Sequence, residues 1–453
     1  MTTPSADTDV AVVGAGAAGL TAAFDLVRAG RQVVVLDPGP VGGTVRRGTV
    51  DGLDLDLGAE SFAHSPATVR GLLDELGLGS SLVAPAAAGA WVRHRGGTAP
   101  MPAGGWLGVP GAPWSAGVRQ VIGWTGSVRA TADLLLPQRF GENAGTLGEL
   151  AGTRMGGRVL ARLVDPVAGG VYSTPPIAMP LTTLPPTTLD VLADHRTLTG
   201  AARALRSPRA AGTAVGGLDG GMYGLVTALR AAVENGGGRF ETAAVESIAG
   251  GPPWTVRTTG SALTAAAVLI ATDARTALGL LGRPAAPATR GAIRLCTLVL
   301  ESPDLDRAPR GTGVLVASGT AGVSAKALTH ATAKWEWLAR LAGPGRHVLR
   351  LSYGRVGESP PEVGAFPGLA VADAGALLGV RLTRGQVREW AVTDWPLPPV
   401  VDRGALDLPP GLAVTGAWRA GVGLAAVVGH ARAQAGVLNG APVGLAPIAV
   451  GEG

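Results

Sequence analysis

Apolar blocks and glycine stops alternate from the start of the chain. Val10–Val13 is a continuous apolar run of the buried-strand type, and a second, "VVVL", fills 33–36. Between them Leu20, Ala23, Phe24 and Val27 recur at i, i+3, i+4 and i+7, which gives a helix one apolar face, and Gly30 ends it in the C′ manner. The pattern predicts a strand–helix–strand unit. "PATVRGLLDELGLG" predicts a second helix, with Val69, Leu72, Leu73 and Leu76 on one face and Gly77 as its stop. From about 85 to 145 the periodicity breaks into Gly-, Pro- and Trp-rich sequence, read as loops and short elements that line or cover a cleft. The Thr146/Glu149 spacing is that of a capping box, and "RVLARLVDP" reads as a helix that stops at Pro166. "TTLDVLADHRTLTGAARALR" is also helical and precedes a Gly/Ala/Thr linker near 210.

Farther along, "GGMYGLVTALRAAVENGGGRFETAAVESI" reads helix, glycine turn, strand, and "WTVRTT" and "AAAVLIATD" read as strands. The β-branched segments "RLCTLVLE", "GVLVAS", "HVLRLSYG" and "REWAVTDW" imply a second sheet. The end of the chain, "GLAVTGAWRAGVGLAAVVGHARAQAGVL", reads strand, glycine loop, helix. The expected class is mixed α/β, with two interleaved domains. A Rossmann-like domain is assembled from 1–84, 213–277 and 404–453. The substrate domain comprises a helical and loop region at 85–212 and a mixed sheet at 278–403.

Composition narrows the class of function. Apolar residues make up 46% of the 453 and charged residues 16%, which describes a globular chain. No apolar run reaches the roughly 18 residues of a spanning helix. "MTTPSADTDV" lacks the basic and apolar regions of a signal peptide, so a cytoplasmic location is expected. The net charge of +5 comes with no basic run, zinc spacing or aromatic RNA-binding motif. The partner expected is therefore a small molecule and not nucleic acid, with peripheral membrane contact through the 85–145 stretch left open. The single cysteine, Cys296, excludes an internal disulfide and a multi-cysteine metal site. Of 38 basic residues 36 are arginine; the two lysines, Lys326 and Lys334, share one segment, "SAKALTHATAKWEW". That asks whether a compact ammonium is wanted there.

Gly14, Gly16 and Gly19 form G-x-G-x-x-G between a strand and a helix start that includes Ala18. The first glycine permits the tight turn, the second lets a pyrophosphate reach the backbone, and the third allows close helix–strand packing. The helix N-terminus offers N–H donors to the anion. Asp37, 23 residues after Gly14, is placed to accept from ribose hydroxyls and disfavours a 2′-phosphate. A second pair, Gly42-Gly43, leads into Thr44 and Arg46, and "DLDLGAESF" ends a strand at Gly58-Ala59-Glu60-Ser61. The terminal loop from Gly416 to Val422, Gly423 and Leu424 would aim a helix N-terminus at a flavin ring. Together these elements specify FAD as the cofactor.

The same residues resemble the aerobic, FAD-containing protoporphyrinogen/coproporphyrinogen oxidases of bacterial haem biosynthesis, within the flavin amine-oxidase superfamily. "DLGAESF" (56–62), "RLVDPVAGGVYSTPP" (162–176), "GGLDGGMYGLVTAL" (216–229), "AKALTHATAKW" (325–335), "RLSYGRVG" (350–357) and "LAVTGAWRAGVGLAAVV" (412–428) fall in the family's order across nearly the whole chain. The resemblance implies a porphyrinogen that gives hydride to flavin N5, with O₂ as acceptor and H₂O₂ as product, over three two-electron cycles. It implies no acid–base pair, because the cofactor carries the redox step. It also places Gly170 and Tyr172 against the macrocycle, Lys334 and Lys326 toward substrate carboxylates, and the Val245 backbone on adenine. His64, His195, His330 and His430 read as structural. The chain departs from the family pattern at Pro40, Thr44, His64 and Ala420, where charged side chains are usual in or beside the motifs. Two other readings stay open: a diverged FAD-dependent oxidase or desaturase of another metabolite, and a flavin-binding paralogue without turnover.

Overall fold

The computed structural model describes residues 6–63, 67–137, 139–184, 186–206, 215–284, 291–397, 406–421 and 423–440. Two sheets organise it. The first runs in the order Arg239–Glu241, Val33–Leu36, Thr8–Val13, Ala262–Ile270, Trp254–Thr258, Val245–Gly250, with Leu412–Val414 also pairing Ala262–Ile270. Thr8–Val13 lies parallel to both neighbours, and Ala262–Ile270 is parallel to Leu412–Val414, so beginning, middle and end of the chain share one sheet.

The period of two decides which side each residue faces. Val10 and Val12 pack with Leu20, Leu26 and Leu269, against the helices Ala17–Arg28, Tyr223–Asn235 and Leu424–Leu438. Ala11 and Val13 join the opposite core with Val34, Leu36, Val268 and Ile270. Both faces are covered, which is why these strands read as unbroken apolar runs.

The second sheet runs Val387–Pro396, Ala292–Glu301, Arg346–Tyr353, Ala327–His330, Gly313–Val316, Trp91–His94, Gly97–Pro100. Cys296, Leu298, Leu349 and Leu351 pack beneath the helix Gly368–Leu378. Val299 and Val348 point the other way, onto Trp335, Trp337 and Leu338, and there they meet Leu53 and Leu55 from the early part of the chain. The hairpin Trp91–Pro100 therefore joins a sheet otherwise built from residues 292–396.

Between 85 and 145 the sequence reading missed a long helix. Ala116–Thr131 is helical, with Val118, Val121 and Ile122 buried; Gly123, at φ +73°, kinks it. Three glycines in 16 residues weaken its propensity, and burial against Leu147, Ala151, Met155 and Leu163 outweighs that. The core here is pinned by Arg154, whose Nε lies 2.5 Å from Asp133, while Asp133 also accepts from the Thr199 backbone N–H and hydroxyl, each at 2.7 Å. The Thr146/Glu149 capping box forms as expected.

The helix expected to stop at Pro166 continues as Asp165–Val171. It is preceded by a π-helical stretch, Leu160–Val164, whose wider turn accommodates a residue with no N–H to donate. The glycines at 169 and 170 are thus the last turn of a helix, not a loop.

No helix among the described residues is long and apolar enough to cross a membrane.

Candidate functional site

The first glycine turn is held by contacts that tolerate no side chain at two of its three positions. A Cβ on Gly14 would stand 2.8 Å from the Ala271 carbonyl oxygen, with φ at +108°. One on Gly19 would stand 1.9 Å from the Gly14 carbonyl oxygen. Gly16 differs: nothing lies within 4 Å of where its Cβ would be, and its φ of −79° suits any residue. The first helix starts there with no side-chain cap and no acid in its first turn, so the amides around Ala18 sit at a positive helix end open to an anion.

Asp37 closes the far side of this turn, accepting from the Ala15 N–H at 2.7 Å and the Gly39 N–H at 2.8 Å. The Asp37 carbonyl accepts from Ala243, which brings the strand beginning at Val245 alongside. Gly42 bridges to Gly16, and a Cβ on Gly43 would be 3.2 Å from the Gly16 Cα. A Cβ on Gly58 would stand 1.9 Å from the Thr44 carbonyl oxygen, which also accepts from Ala59 N–H at 2.8 Å. Three separate glycine segments therefore stack backbone on backbone. Half-buried Arg46 makes no ion pair among the described residues, and Ser61, after Glu60, is partly buried. At the chain's other end Gly416, Gly421 and Gly423 all have φ above +100°, and the helix starting at Leu424 carries no side-chain cap. Val422 and His64 lie outside the described residues. Uncapped helix starts and turns free of side chains make this cradle a donor set that fits the phosphate of a flavin cofactor.

The second sheet meets the Gly58–Ser61 segment at Glu60. Its carboxylate takes Lys334 Nζ at 2.7 Å and Arg350 Nη1 at 2.8 Å, and Arg350 Nη2 also donates to the Gly58 carbonyl at 2.5 Å. Burial alone would raise this carboxyl; the two cations, Lys334 first, hold it at about 2. Of the residues singled out in the sequence, Lys334 and Glu60 are thus paired with each other, and Arg350 completes the cluster. Nearby Asp56 accepts from the Met222 and Tyr223 N–H groups, across 166 and 167 residues of sequence. It anchors the start of the helix Tyr223–Asn235 to the strand leading into Gly58.

The Asp165–Val171 helix packs on the strand Gly313–Val316 of the second sheet. A Cβ on Gly170 would meet Leu315 Cδ2 at 2.6 Å, so the bare backbone lies flat on that side chain. Tyr172 follows, 37% exposed, and Ser173 is buried at φ +57°. Lys326 is 1% exposed and donates to the Ser173 hydroxyl. In this structure the Lys326 side chain is buried on Ser173, 153 residues away in sequence and next to Tyr172 in the chain. Ala420 ends a short helix, Ala417–Ala420, and Pro40 lies in the turn before Gly42.

Sequence reasoning passed over Arg350, Arg355, Asp56 and Ser173. Arg350 and Arg355 lie in the quoted "RLSYGRVG", but among 36 arginines nothing local marked them out. Of the histidines, His330 is fully buried and bonded to His347 at 3.0 Å, His430 bonds Thr415 at 3.0 Å, and His195 bonds the Val191 carbonyl at 2.9 Å.

Comparison with known proteins agrees with this architecture. The profile of the family described as flavin containing amine oxidoreductase matches residues 17–301. The coproporphyrinogen III oxidase of Mycobacterium tuberculosis (strain ATCC 25618 / H37Rv) is 30% identical over 441 residues, 93% of this chain and 95% of that protein. The coproporphyrinogen III oxidase of Mycobacterium leprae is 31% identical over 445 residues, 93% and 96% of the two chains. Among solved structures, one from Exiguobacterium sp. 255-15, provisionally described as a protoporphyrinogen oxidase, superposes with a TM-score of 0.80 at 22% identity over 96% of this chain and 99% of that one. The cyclohexylamine oxidase of Brevibacterium oxydans shares the fold at a TM-score of 0.64 and 13% identity, covering 96% and 99%. The chain belongs to the flavin-containing amine oxidoreductase family, alongside the porphyrinogen oxidases, and is a flavin-dependent oxidoreductase.

Proposed function

We propose that this enzyme binds FAD and dehydrogenates a porphyrinogen, coproporphyrinogen III first, to the porphyrin, with three O₂ consumed and three H₂O₂ released per macrocycle. The observation that carries the reading is the set of side-chain-free turns at Gly14, Gly19 and Gly58 leading to Glu60, with Tyr172 exposed at the end of the Asp165–Val171 helix as the aromatic ring left for a substrate. Full-length similarity to coproporphyrinogen III oxidases supports it.

In this reading Gly14, Gly16, Ala18 and Gly19 hold the pyrophosphate, with Gly42, Gly43, Thr44 and Arg46 beside it. Asp37 takes the ribose and Val245 the adenine. Gly58, Ala59, Glu60 and Ser61, with Gly416, Gly423 and Leu424, would hold the ring; Val422, the remaining residue of that set, lies outside the described residues. When bound, FAD supplies the hydride acceptor and the reaction with O₂. The protein's part is to bring a meso carbon close and keep it there, and Gly170, by lying close on Leu315, seats the helix end that carries Tyr172. The Glu60–Lys334–Arg350 cluster locks the two walls together.

Contact with a membrane surface is also favoured. Of the eleven large apolar side chains exposed among the described residues, six lie between Trp114 and Phe140: Trp114, Trp124, Val128, Leu134, Leu135 and Phe140. From 76 to 141 the one acid is Asp133, which is buried, while Arg119 stacks on Trp124 at 4.8 Å. An apolar, cationic face suits anionic lipid headgroups.

The test is aerobic porphyrin fluorescence with FAD-loaded protein and chemically reduced coproporphyrinogen III, run beside protoporphyrinogen. Enzyme-dependent emission above the autoxidation blank is expected. A yellow protein that leaves both untouched overturns the substrate assignment and favours a flavoprotein acting on another metabolite.

A further inference from the structure

The chain has two lysines, and the Glu60 pair accounts for only one of them. We propose that Lys326 is a positioning residue: through Ser173 it holds the Gly169–Ser173 turn, and with it Tyr172, against the porphyrinogen cleft, a role that rests on the substrate reading above.

Ser173 stands at φ +57°, where a residue with a side chain is strained and stays only if its surroundings hold it. Two contacts do so. The Ser173 carbonyl accepts from Val356 N–H at 3.0 Å, and the Ser173 hydroxyl accepts from Lys326 Nζ. Both partners flank strands of the second sheet, Lys326 just before Ala327–His330 and Val356 just after Arg346–Tyr353; Leu315, in Gly313–Val316, lies under Gly170, and a Cβ on Gly169 would lie 3.3 Å from Arg355 Nε. The turn is therefore held by four contacts at three of its residues, Gly169, Gly170 and Ser173, while the Tyr172 ring is 37% exposed. The Tyr172 N–H is fixed by the Ala168 carbonyl at 2.9 Å and its own carbonyl by the Thr174 hydroxyl at 3.1 Å, so moving Ser173 moves the ring.

A methionine would fill the same space without desolvating a cation, so packing alone does not call for an amine. No ion pair engages Lys326 among the described residues. Arg355 is a like charge, and Glu358 sits 3.6 Å from Arg355 on a half-exposed side chain. Asp165, from the helix, is taken up by Ser318, and Asp373 by the amides of Ser324 and Ala325. Tyr353, on the adjacent strand, is buried. Burial, followed by Arg355 and opposed by Glu358, brings the Lys326 ammonium down to about 7. The donor that holds Ser173 thus loses its charge assistance as pH passes neutrality.

Two lysines make the test direct. In flavin-loaded protein grown with [¹³Cε]lysine, two side-chain signals are expected, and Lys326→Met removes one of them. That signal should titrate near pH 7, and in Ser173→Ala its midpoint should move lower by half a unit or more, because the oxygen favouring the ammonium is gone. Lys326→Met should keep its flavin and lower kcat/KM for coproporphyrinogen III by about tenfold to a hundredfold, with the pH limb near 7 absent. Ser173→Ala should show a smaller loss with the limb displaced downward. A Lys326 signal that titrates near 10, or ignores the Ser173 change, overturns the clamp. So does a Lys326→Met enzyme with the parent kcat/KM and pH profile. A clamp seen by NMR in a wild-type protein inert toward both porphyrinogens sinks the substrate reading instead.

Discussion

Replacing Gly16 with alanine separates what the cofactor needs from what the protein needs. Gly16 has extended backbone, φ −79° and ψ 179°, and a Cβ there would meet no protein atom within 4 Å. Gly16→Ala should therefore leave the flavin-free protein as stable as the parent, or about 0.4–1 kcal/mol more stable through its stiffer unfolded chain. The bound pyrophosphate is a different matter. If it approaches to about 3.5 Å from the backbone, near the optimum for non-bonded contact, an added methyl occupies its place. A hundredfold loss of FAD affinity is expected, removing about 2.3 of the roughly 2.7 kcal/mol of ligand-linked stabilisation under conditions that hold FAD at 100 times the parent Kd.

Gly19→Ala is the contrasting case, since its Cβ would overlap the Gly14 carbonyl oxygen at 1.9 Å. Forcing that contact apart should cost about 1–3 kcal/mol in the flavin-free protein itself. Fluorescence-quenching titration of each flavin-free variant with FAD, with thermal unfolding run with and without FAD, distinguishes the two. A Gly16→Ala protein that binds FAD within about threefold of the parent, less than 0.7 kcal/mol on the affinity scale, refutes the placement of the pyrophosphate.

Glu60→Gln should destabilise by about 3–5 kcal/mol in urea unfolding, because Lys334 and Arg350 are left buried and unpaired. The parent carboxyl is held at about 2 against an ordinary 4.5, so its contribution is complete above pH 4.5 and lost as pH falls toward 2; acid titration of Glu60→Gln should lack that phase. Asp133→Ala strands Arg154 inside the helical layer, and a loss of similar size, about 3–5 kcal/mol, is expected with FAD affinity unchanged. Trp124→Asp combined with Leu135→Asp should abolish co-sedimentation with anionic vesicles while turnover of dissolved substrate stays at the parent rate; equal sedimentation removes the membrane reading.

The glycine motif was legible because each of its residues answers a local demand. Gly14, Gly16 and Gly19 lie within one turn, Asp37 lies one strand away, and alternation along Thr8–Val13 follows from the pleat. Gly30 and Gly77 were readable as helix stops for the same reason, and both stand at φ above +70°. The helix Ala116–Thr131 was not readable, since its glycines argue against it and the opposing argument is a buried face supplied by residues 147–163. Pro166 misled in the same way: its effect on a helix depends on the π turn just before it.

What the sequence determined alone was the nucleotide fold, the presence of a second sheet, and the family that the motifs resemble. Tertiary structure decided the partners of the charged groups. Lys326 and Lys334 sit eight residues apart in similar surroundings of sequence, yet one ends at Ser173 and the other at Glu60, 153 and 274 residues away. A strand or helix signal is written in neighbours within a few residues, because backbone geometry repeats over that range. An ion pair's partner is set by which faces of two sheets are pressed together, and that is a property of the packed core rather than of any segment in it.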